Sequence, residues 1–273
     1  MILRTKRLLG ILLLGSMLFG ALVSAQTEAT SSASASASGE QFQVSVGTFY
    51  VERGASMAFE ITHDTPCTCL CDPIYVSGLS LHDGTGTLIQ QQLYEIPVDA
   101  VEWLGRLSLV ELEGEAPLPD GSYTVQVQTD IGSFSADLEI ASPSQLAQSG
   151  RFSASASVCG LGLQVYRLLT EEDHEAAIML RQGDGLMVAL AGNATTGFQW
   201  DNTLLYEFAV LRETDEMEYR PKPHPQEMVG FGGEFLFRYE AVAPGPQSFR
   251  FIYHRPWESV QPEHVVEFAV IVR

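Results

Sequence analysis

The sequence predicts an all-β fold that contains two β-sandwich modules. Along several stretches hydrophobic residues alternate with polar ones, which is the period of a half-buried strand. Clusters of Gly, Pro, Asp and Asn separate these stretches, as turns separate antiparallel strands. A helical period of hydrophobic residues is nearly absent, and only "VDAVEWLGRL", residues 98–107, could form a turn or two of helix. These spacings favour two sandwiches of roughly a hundred residues each.

The first module is predicted over residues 41–140. Its opening stretch, "QFQVSVGTFYV", places Phe42, Val44 and Val46 on one face of a strand. Near its end, "LPDGSYTVQVQTDIGSFSADLEI" carries a Pro-Asp-Gly turn, an alternating strand, a short "DIGS" reversal and a second alternating strand. This order predicts a β-hairpin. The role of this module is not indicated by its sequence.

The second module is predicted over residues 161–273 and has the same kind of pattern. "AAIML" and "GLMVAL" flank the turn "RQGDG", and "VVEFAVIV" closes the chain. Two further strands each place three aromatic residues on one face. These residues are Phe235, Phe237 and Tyr239 in the first strand, and Phe249, Phe251 and Tyr253 in the second.

The N-terminal segment, residues 1–25, has the features of a signal peptide. Arg4, Lys6 and Arg7 precede an apolar run, and small residues at Ser24 and Ala25 are typical of a cleavage site. The chain is therefore expected to be secreted or periplasmic. The alternative is that the same segment is retained as a membrane anchor.

Two low-complexity segments separate the predicted parts of the chain. Residues 26–40, "QTEATSSASASASGE", are rich in Ser and Ala and are predicted to be a flexible linker. Residues 141–160 contain a second such patch between the two modules. The predicted order is thus signal peptide, linker, module, linker and module.

The charge of the chain disfavours two classes of partner. The formal net charge is −19, and cleavage of the signal would remove three basic residues, leaving 12 Lys and Arg against 34 Asp and Glu. A negative field of this size repels nucleic acids and anionic membrane surfaces. It is compatible with a basic or neutral protein partner, and it also increases solubility.

The cysteines and histidines do not predict an enzyme or a cofactor site. In an exported chain, Cys67, Cys69, Cys71 and Cys159 are expected to form disulfides, for which three pairings exist. A metal site in "CTCLC" is the less favoured alternative, since structural zinc sites use wider spacings. The six histidines are scattered, and the nucleophile-elbow and phosphate-loop motifs are absent from the sequence. We therefore expect no catalytic residues, no metal and no cofactor.

Three short loops of the second module are candidates for a binding site. In "NATTG", Asn193 can cap a turn and Gly197 permits a positive φ, while the hydroxyls of Thr195 and Thr196 can fix the loop or face a partner. "VGFGGEF" and "YHRPWES" also connect predicted strands. Arg and Trp are enriched at interface hot spots. Each loop alone could equally be an ordinary connection.

The order of these motifs resembles the chagasin family of cysteine-protease inhibitors. "N-x-T-T-G-F-x-W" is followed by "G-x-G-G" and then by "R-P-W", on an all-β module of residues 161–273. The resemblance implies an immunoglobulin-like sandwich whose three loops reversibly block the cleft of a papain-like cysteine protease. It also implies that the protein acts as a monomer.

The resemblance also implies which residues bind the protease. The first loop would cover the catalytic cysteine, and the other two would contact the sides of the cleft. The family pattern has a proline after the asparagine, and Ala194 in its place removes some rigidity from the loop. Trp257 would be the apolar anchor, and Arg255 would either pair with the protease or hold its own loop. The implied residues are Asn193, Ala194, Thr195, Thr196, Gly197, Phe198, Gly230, Phe231, Gly232, Gly233, Arg255, Pro256 and Trp257.

A non-inhibitory envelope protein is the alternative function. Two sandwiches could serve adhesion or assembly, with the second module related to inhibitors but inactive. The two functions differ in one structural expectation. An inhibitor must present the three loops together on one exposed edge, with Thr196 and Trp257 free of residues 41–140.

Overall fold

The computed structural model describes residues 42–63, 74–100, 103–111, 116–141, 157–158, 161–203, 210–222 and 232–273. All of them belong to one compact unit. The predicted signal peptide, the linker at residues 26–40 and the four cysteines lie outside the described residues. None of the helices in the described ranges is long and apolar enough to cross a membrane.

The described residues form strands and two short 3₁₀ helices, Glu171–Asp173 and Ala194–Thr196. In the first half the strands are β1 (Phe42–Val51), β2 (Ser56–His63), β3 (Tyr75–Asp83), β4 (Leu88–Asp99), β5 (Leu104–Ser108), β6 (Gly121–Thr129) and β7 (Gly132–Ile140). In the second half they are β8 (Ser157–Val158), β9 (Leu161–Leu169), β10 (Ala177–Leu180), β11 (Gly185–Gly192), β12 (Gln199–Asn202), β13 (Leu211–Pro221), β14 (Gly233–Ala241), β15 (Gly245–His254) and β16 (His264–Val272).

The all-β prediction is confirmed, and the possible helix at residues 98–107 is wrong. Residues 98–99 end β4 and residues 104–107 lie in β5, where burial alternates as in a strand: Gly105 and Leu107 are buried, while Leu104 and Arg106 are partly exposed. The predicted hairpin is also confirmed, since β6 and β7 pair antiparallel from Gly121↔Ile140 onwards. The turn at residues 181–184 joins β10 and β11, which belong to different sheets.

The strands form three sheets. A five-stranded sheet has the order β1-β7-β6-β3-β4, and a four-stranded sheet has the order β10-β16-β15-β12. The third sheet runs β13-β14-β11-β9-β2-β5, with β8 paired to the start of β9. This third sheet is shared by both halves of the chain, because β2 pairs antiparallel with β9 over eight residues while β9 runs parallel to β11.

Two hydrophobic cores lie side by side on one face of the shared sheet. The five-stranded sheet packs over β2, β5 and β9, where Phe59 and its neighbour Val165 are buried. The four-stranded sheet packs over β11 and β14, where Leu169 and its neighbour Val188 are buried. Val165 and Leu169 are four residues apart on β9, so they point to the same face. The prediction of two sandwich cores is thereby confirmed.

The opposite face of the shared sheet curls around a third, smaller core. Arg106 on β5 contacts Glu234 on β14, although three strands lie between them in the sheet order. In a flat sheet these strands would be about 19 Å apart. The curled face encloses a small cluster that combines residues of both halves: Ala58, Tyr166, Leu168, Met187, Ala189 and Leu236, with Leu104 at its border.

A buried network of charges lies beside this third core. The carboxylate of Glu60 on β2 accepts hydrogen bonds from Arg238 Nε and Nη2 at 2.9 and 2.7 Å, and from Arg220 Nη2 at 3.1 Å. Glu218 accepts further bonds from both arginines. Burial alone would lower the pKa of Arg238, but its hydrogen bonds and the charges of Glu60 and Glu218 raise it. Arg238 therefore stays charged, and the network ties β2 to β13 and β14.

A buried carboxyl in the β10–β11 turn predicts an effect of pH on stability. Burial raises the pKa of Asp184 to about 6, and a hydrogen bond from the Arg181 backbone N–H at 2.7 Å offsets this only in part. The folded state then binds more protons than the unfolded state between about pH 4 and 6. Through this group, the free energy of unfolding should rise by about 1.4 kcal/mol as the pH falls from 7 to 5.

Asp184→Asn should remove this contribution. Denaturant unfolding at pH 7 and pH 5 measures it as the difference between the wild type and the variant. Asp130→Asn is the matched control, because Asp130 also accepts a backbone N–H but is exposed. An unchanged pH dependence in Asp184→Asn would contradict the assignment.

Candidate functional site

The first candidate loop is a capped 3₁₀ helix between β11 and β12. Asn193 is its N-cap, and its Oδ1 accepts hydrogen bonds from the backbone N–H and the hydroxyl of Thr195 at 3.1 and 2.7 Å. The hydroxyl of Thr196 donates to the Asn193 carbonyl at 2.6 Å. Both hydroxyls therefore fix the loop internally. Ala194, Thr195 and Thr196 are all exposed at its tip.

Gly197 ends this helix and lies against the third loop. Its φ of 79° is in the left-handed region that favours glycine. A Cβ atom at this position would lie 2.4 Å from Cη2 and 2.9 Å from Cζ2 of Trp257. The indole ring thus packs on the backbone of residue 197, while 69% of Trp257 remains exposed.

Arg255 connects the first and third loops. Its Nε donates to the Thr196 carbonyl at 3.1 Å, and its guanidinium lies 4.3 Å above the centre of the Phe198 ring. Its Nη1 also forms an ion pair with Glu258 at 2.9 Å. Arg255 therefore holds the first and third loops together, which is one of the two roles considered from the sequence.

Aromatic residues support the base of the first loop. Phe198 is half-buried and stacks on Tyr253, with ring centres 5.0 Å apart. The hydroxyl of Tyr253 accepts a hydrogen bond from the Asn193 N–H at 2.7 Å. The indole N–H of the buried Trp200 donates to the Ala191 carbonyl at 2.9 Å. The alternation of β15 predicts that Tyr253 faces inward, but its bond to the loop depends on tertiary structure.

The end of the second loop lies beside the first loop. Gly233 pairs with Gly192, which immediately precedes Asn193. A Cβ atom at Gly232 would lie 3.1 Å from the Gly192 carbonyl oxygen, and the Gly232 carbonyl accepts a hydrogen bond from Lys222. These glycines permit a close approach of the two segments. Gly230 and Phe231 lie outside the described residues.

The first loop, the third loop and the end of the second loop, Gly232 and Gly233, meet at one edge of the second sandwich. The exposed residues of the first and third loops include Ala194, Thr195, Thr196, Pro256 and Trp257, and none of these five is ionisable. Val260, which follows Trp257 in the connection between β15 and β16, is 67% exposed and was missed because a single valine in a loop gives no sequence signal. Within the described ranges, no group of three or more His, Cys, Asp or Glu could hold a metal ion.

Comparisons with known proteins identify this part of the chain. A model of the chagasin family, peptidase inhibitors I42, matches residues 179–272, which include all three loops. Amoebiasin-2 of Entamoeba histolytica is 26% identical over 120 residues, which cover 43% of this chain and 94% of that protein. Amoebiasin-1 of the same organism is 28% identical over 89 residues, with coverages of 33% and 82%.

A solved structure with similarity to this chain is that of the cysteine protease inhibitor EhICP2 from Entamoeba histolytica. It is 24% identical, covers 40% of this chain and 96% of its own, and has a TM-score of 0.36. The family match agrees with the order of the three loop motifs in the sequence. Residues 179–272, in the C-terminal module of this chain, match the chagasin family of peptidase inhibitors.

Proposed function

We propose that this protein is a secreted or periplasmic, reversible inhibitor of papain-like cysteine proteases and that the three-loop edge enters the active-site cleft. The observation that carries the proposal is that the first loop, the third loop and Gly232 and Gly233 of the second loop meet on one edge of a module that matches a peptidase-inhibitor family. Membership of this family also supports a role as an inhibitor rather than an enzyme.

The shape of the first loop fits a cleft that holds a reactive thiolate. Its tip carries only Ala194, Thr195 and Thr196, whose small side chains would let the backbone reach the floor of a narrow cleft. The tip is a 3₁₀ helix, whereas proteases of this type cleave extended chains. A helical backbone would not present a peptide bond to the thiolate in the geometry of a substrate. The loop would therefore block the site without being cleaved.

The loop is also held in place before it binds. Internal bonds from Thr195 and Thr196, the bond of Asn193 to Tyr253 and the clamp of Arg255 all restrict it. A preformed loop loses less conformational entropy on binding, which favours affinity. These contacts compensate for the rigidity that a proline at position 194 would supply.

Titration of papain with the full chain tests the proposal, and Gly197→Ala supplies the variant. We expect substrate-competitive inhibition by the wild type and an inhibition constant at least about tenfold higher for Gly197→Ala. The new Cβ would displace Trp257, and a non-glycine residue at this φ costs on the order of 1–3 kcal/mol.

Gly86→Ala is the matched control for this variant. Gly86 has a similar φ of 85°, but a Cβ there would have no atom within 4 Å, and the residue lies between β3 and β4, in the first sandwich. It should lower stability without changing the inhibition constant. Absence of inhibition by the folded wild type would contradict the proposed function, and equal effects of the two variants would contradict the role of the loop.

A further inference from the structure

The first half of the chain contacts both stems of the second loop, that is, residues 220–222 at the end of β13 and residues 232–234 at the start of β14. This loop joins the end of β13 to the start of β14. Arg220, just before Pro221, and Glu234, just after Gly233, are cross-strand neighbours. Each of these two neighbours forms an ion pair with a residue of the first half. Residues of the first half thus hold the two stems at positions that face each other across β13 and β14.

The β14 stem is held by Arg106. Its Nη1 and Nη2 donate to the two carboxylate oxygens of Glu234 at 2.9 and 2.6 Å, which is a bidentate pair. Glu234 follows Gly233 directly and pairs with Ala191, two residues before Asn193. The pair therefore fixes a residue that adjoins both the first and the second loop.

The β13 stem is held by Glu60. Arg220 Nη2 donates to Glu60 Oε1 at 3.1 Å, and the same carboxylate binds Arg238 on β14. A Cβ atom at Gly233 would lie only 2.3 Å from the Arg220 carbonyl oxygen. The backbone of Arg220 and the end of the second loop are thus in close contact, and a shift of one requires a shift of the other.

The charges of the two halves are complementary. Glu60 and Arg106 lie on neighbouring strands β2 and β5, and they face Arg220 and Glu234 on neighbouring strands β13 and β14. A bidentate pair constrains direction as well as distance. A separate spacer module would not require such a match.

We propose that the first half of the chain is a scaffold that positions the residues on either side of the second loop, 220–222 and 232–234, at the inhibitory edge, with Arg106 as a positioning residue that acts through Glu234. This proposal rests on the proposed function. It assigns a role to residues 41–140, which the sequence leaves without one. The scaffold raises affinity by restricting the loop before the protease binds.

Arg106→Ala in the full chain tests the proposal. We expect the inhibition constant for papain to rise about threefold to tenfold, mainly through faster dissociation. Amide hydrogen exchange over residues 220–222 and 232–234 should become faster in the free variant. In the doubly reversed variant, Arg106→Glu with Glu234→Arg, the exchange rate of these amides should return towards that of the wild type. Its inhibition constant should also return towards the wild-type value.

Arg53→Ala is the matched control. Arg53 forms a bidentate pair with Asp120 at 2.7 and 2.8 Å, also in the first half of the chain, but it does not hold a stem of the loop. This variant should leave both the inhibition constant and the exchange of the stems unchanged. A loss of inhibition equal to that of Arg106→Ala would show a general effect of stability and overturn the proposal.

The two proposals fail in different ways. If the wild type does not inhibit papain, the proposed function is contradicted, and hydrogen exchange still decides whether Arg106 restrains the stems. If the wild type inhibits and Arg106→Ala matches it in both measurements, only the scaffold proposal is overturned. Failure of the reversed pair to recover would also overturn it, because the effect would not depend on the ion pair.

Discussion

Replacement of Trp257 by alanine is expected to weaken inhibition of papain by about 100-fold. The indole is 69% exposed at the three-loop edge, and it is the largest apolar side chain there. Truncation of a tryptophan at the centre of an interface costs about 2–4 kcal/mol when the partner buries it. The measurement is the inhibition constant together with the dissociation rate, where most of the change is expected.

Leu93→Ala is the matched control for Trp257→Ala. Leu93 is 63% exposed on β4, in the first sandwich, so its truncation also removes exposed apolar surface. It should leave inhibition unchanged, and neither variant should change the free energy of unfolding by more than about 1 kcal/mol. Inhibition by Trp257→Ala within about threefold of the wild type would remove this residue from the set of anchors.

The largest effect on stability is expected for Glu60→Gln, which should lower the free energy of unfolding by about 3 kcal/mol. The substitution preserves the shape of the side chain but removes the charge that faces Arg238, whose side chain is 7% exposed. Arg220 loses the same partner. Glu218 still binds both arginines, but the buried carboxylate that receives two bonds from Arg238 is lost, so Arg238 keeps its desolvation cost with much less compensating attraction. Unfolding in denaturant at neutral pH measures the loss.

Asp120→Asn is the matched control for Glu60→Gln. Asp120 also forms a bidentate pair with an arginine, Arg53, but that pair is largely exposed. Ion pairs at the surface contribute little to stability, so the unfolding midpoint should stay close to that of the wild type. Similar midpoints for Glu60→Gln and Asp120→Asn would show that the network around Glu60 does not stabilise the fold.

Local patterns in the sequence predict the strands but not their partners. The alternation at residues 42–51 predicts β1, and the turn chemistry at Asp130 and Gly132 predicts the β6–β7 hairpin. The parallel pairing of β1 with β7 and the pairing of β2 with β9 join residues far apart in the chain. Alternation records which side chains are buried, and it contains no information about which strand lies alongside.

The same distinction applies to the candidate site. The loop motifs identify Asn193, Gly197 and Trp257 because these residue types are needed locally for a cap, a positive φ and an exposed anchor. The bond from Asn193 to Tyr253 and the pair of Arg106 with Glu234 depend on how the sheets pack and curl. Neither contact can be predicted from the pattern of neighbouring residues in the sequence.

The shared sheet has a consequence for how the chain folds. The first core includes Leu163 and Val165 of β9, and the pair between Arg238 and Glu60 joins residues 178 positions apart. Contacts of such long range slow folding, because the chain loses the entropy of loop closure before the stabilising contacts form. During synthesis, residues 42–141 cannot complete their core before β9 has emerged from the ribosome. The nascent chain would therefore expose the edge of β2 for longer than an autonomous first sandwich would, and chaperones that bind unpaired strands would act mainly in this interval.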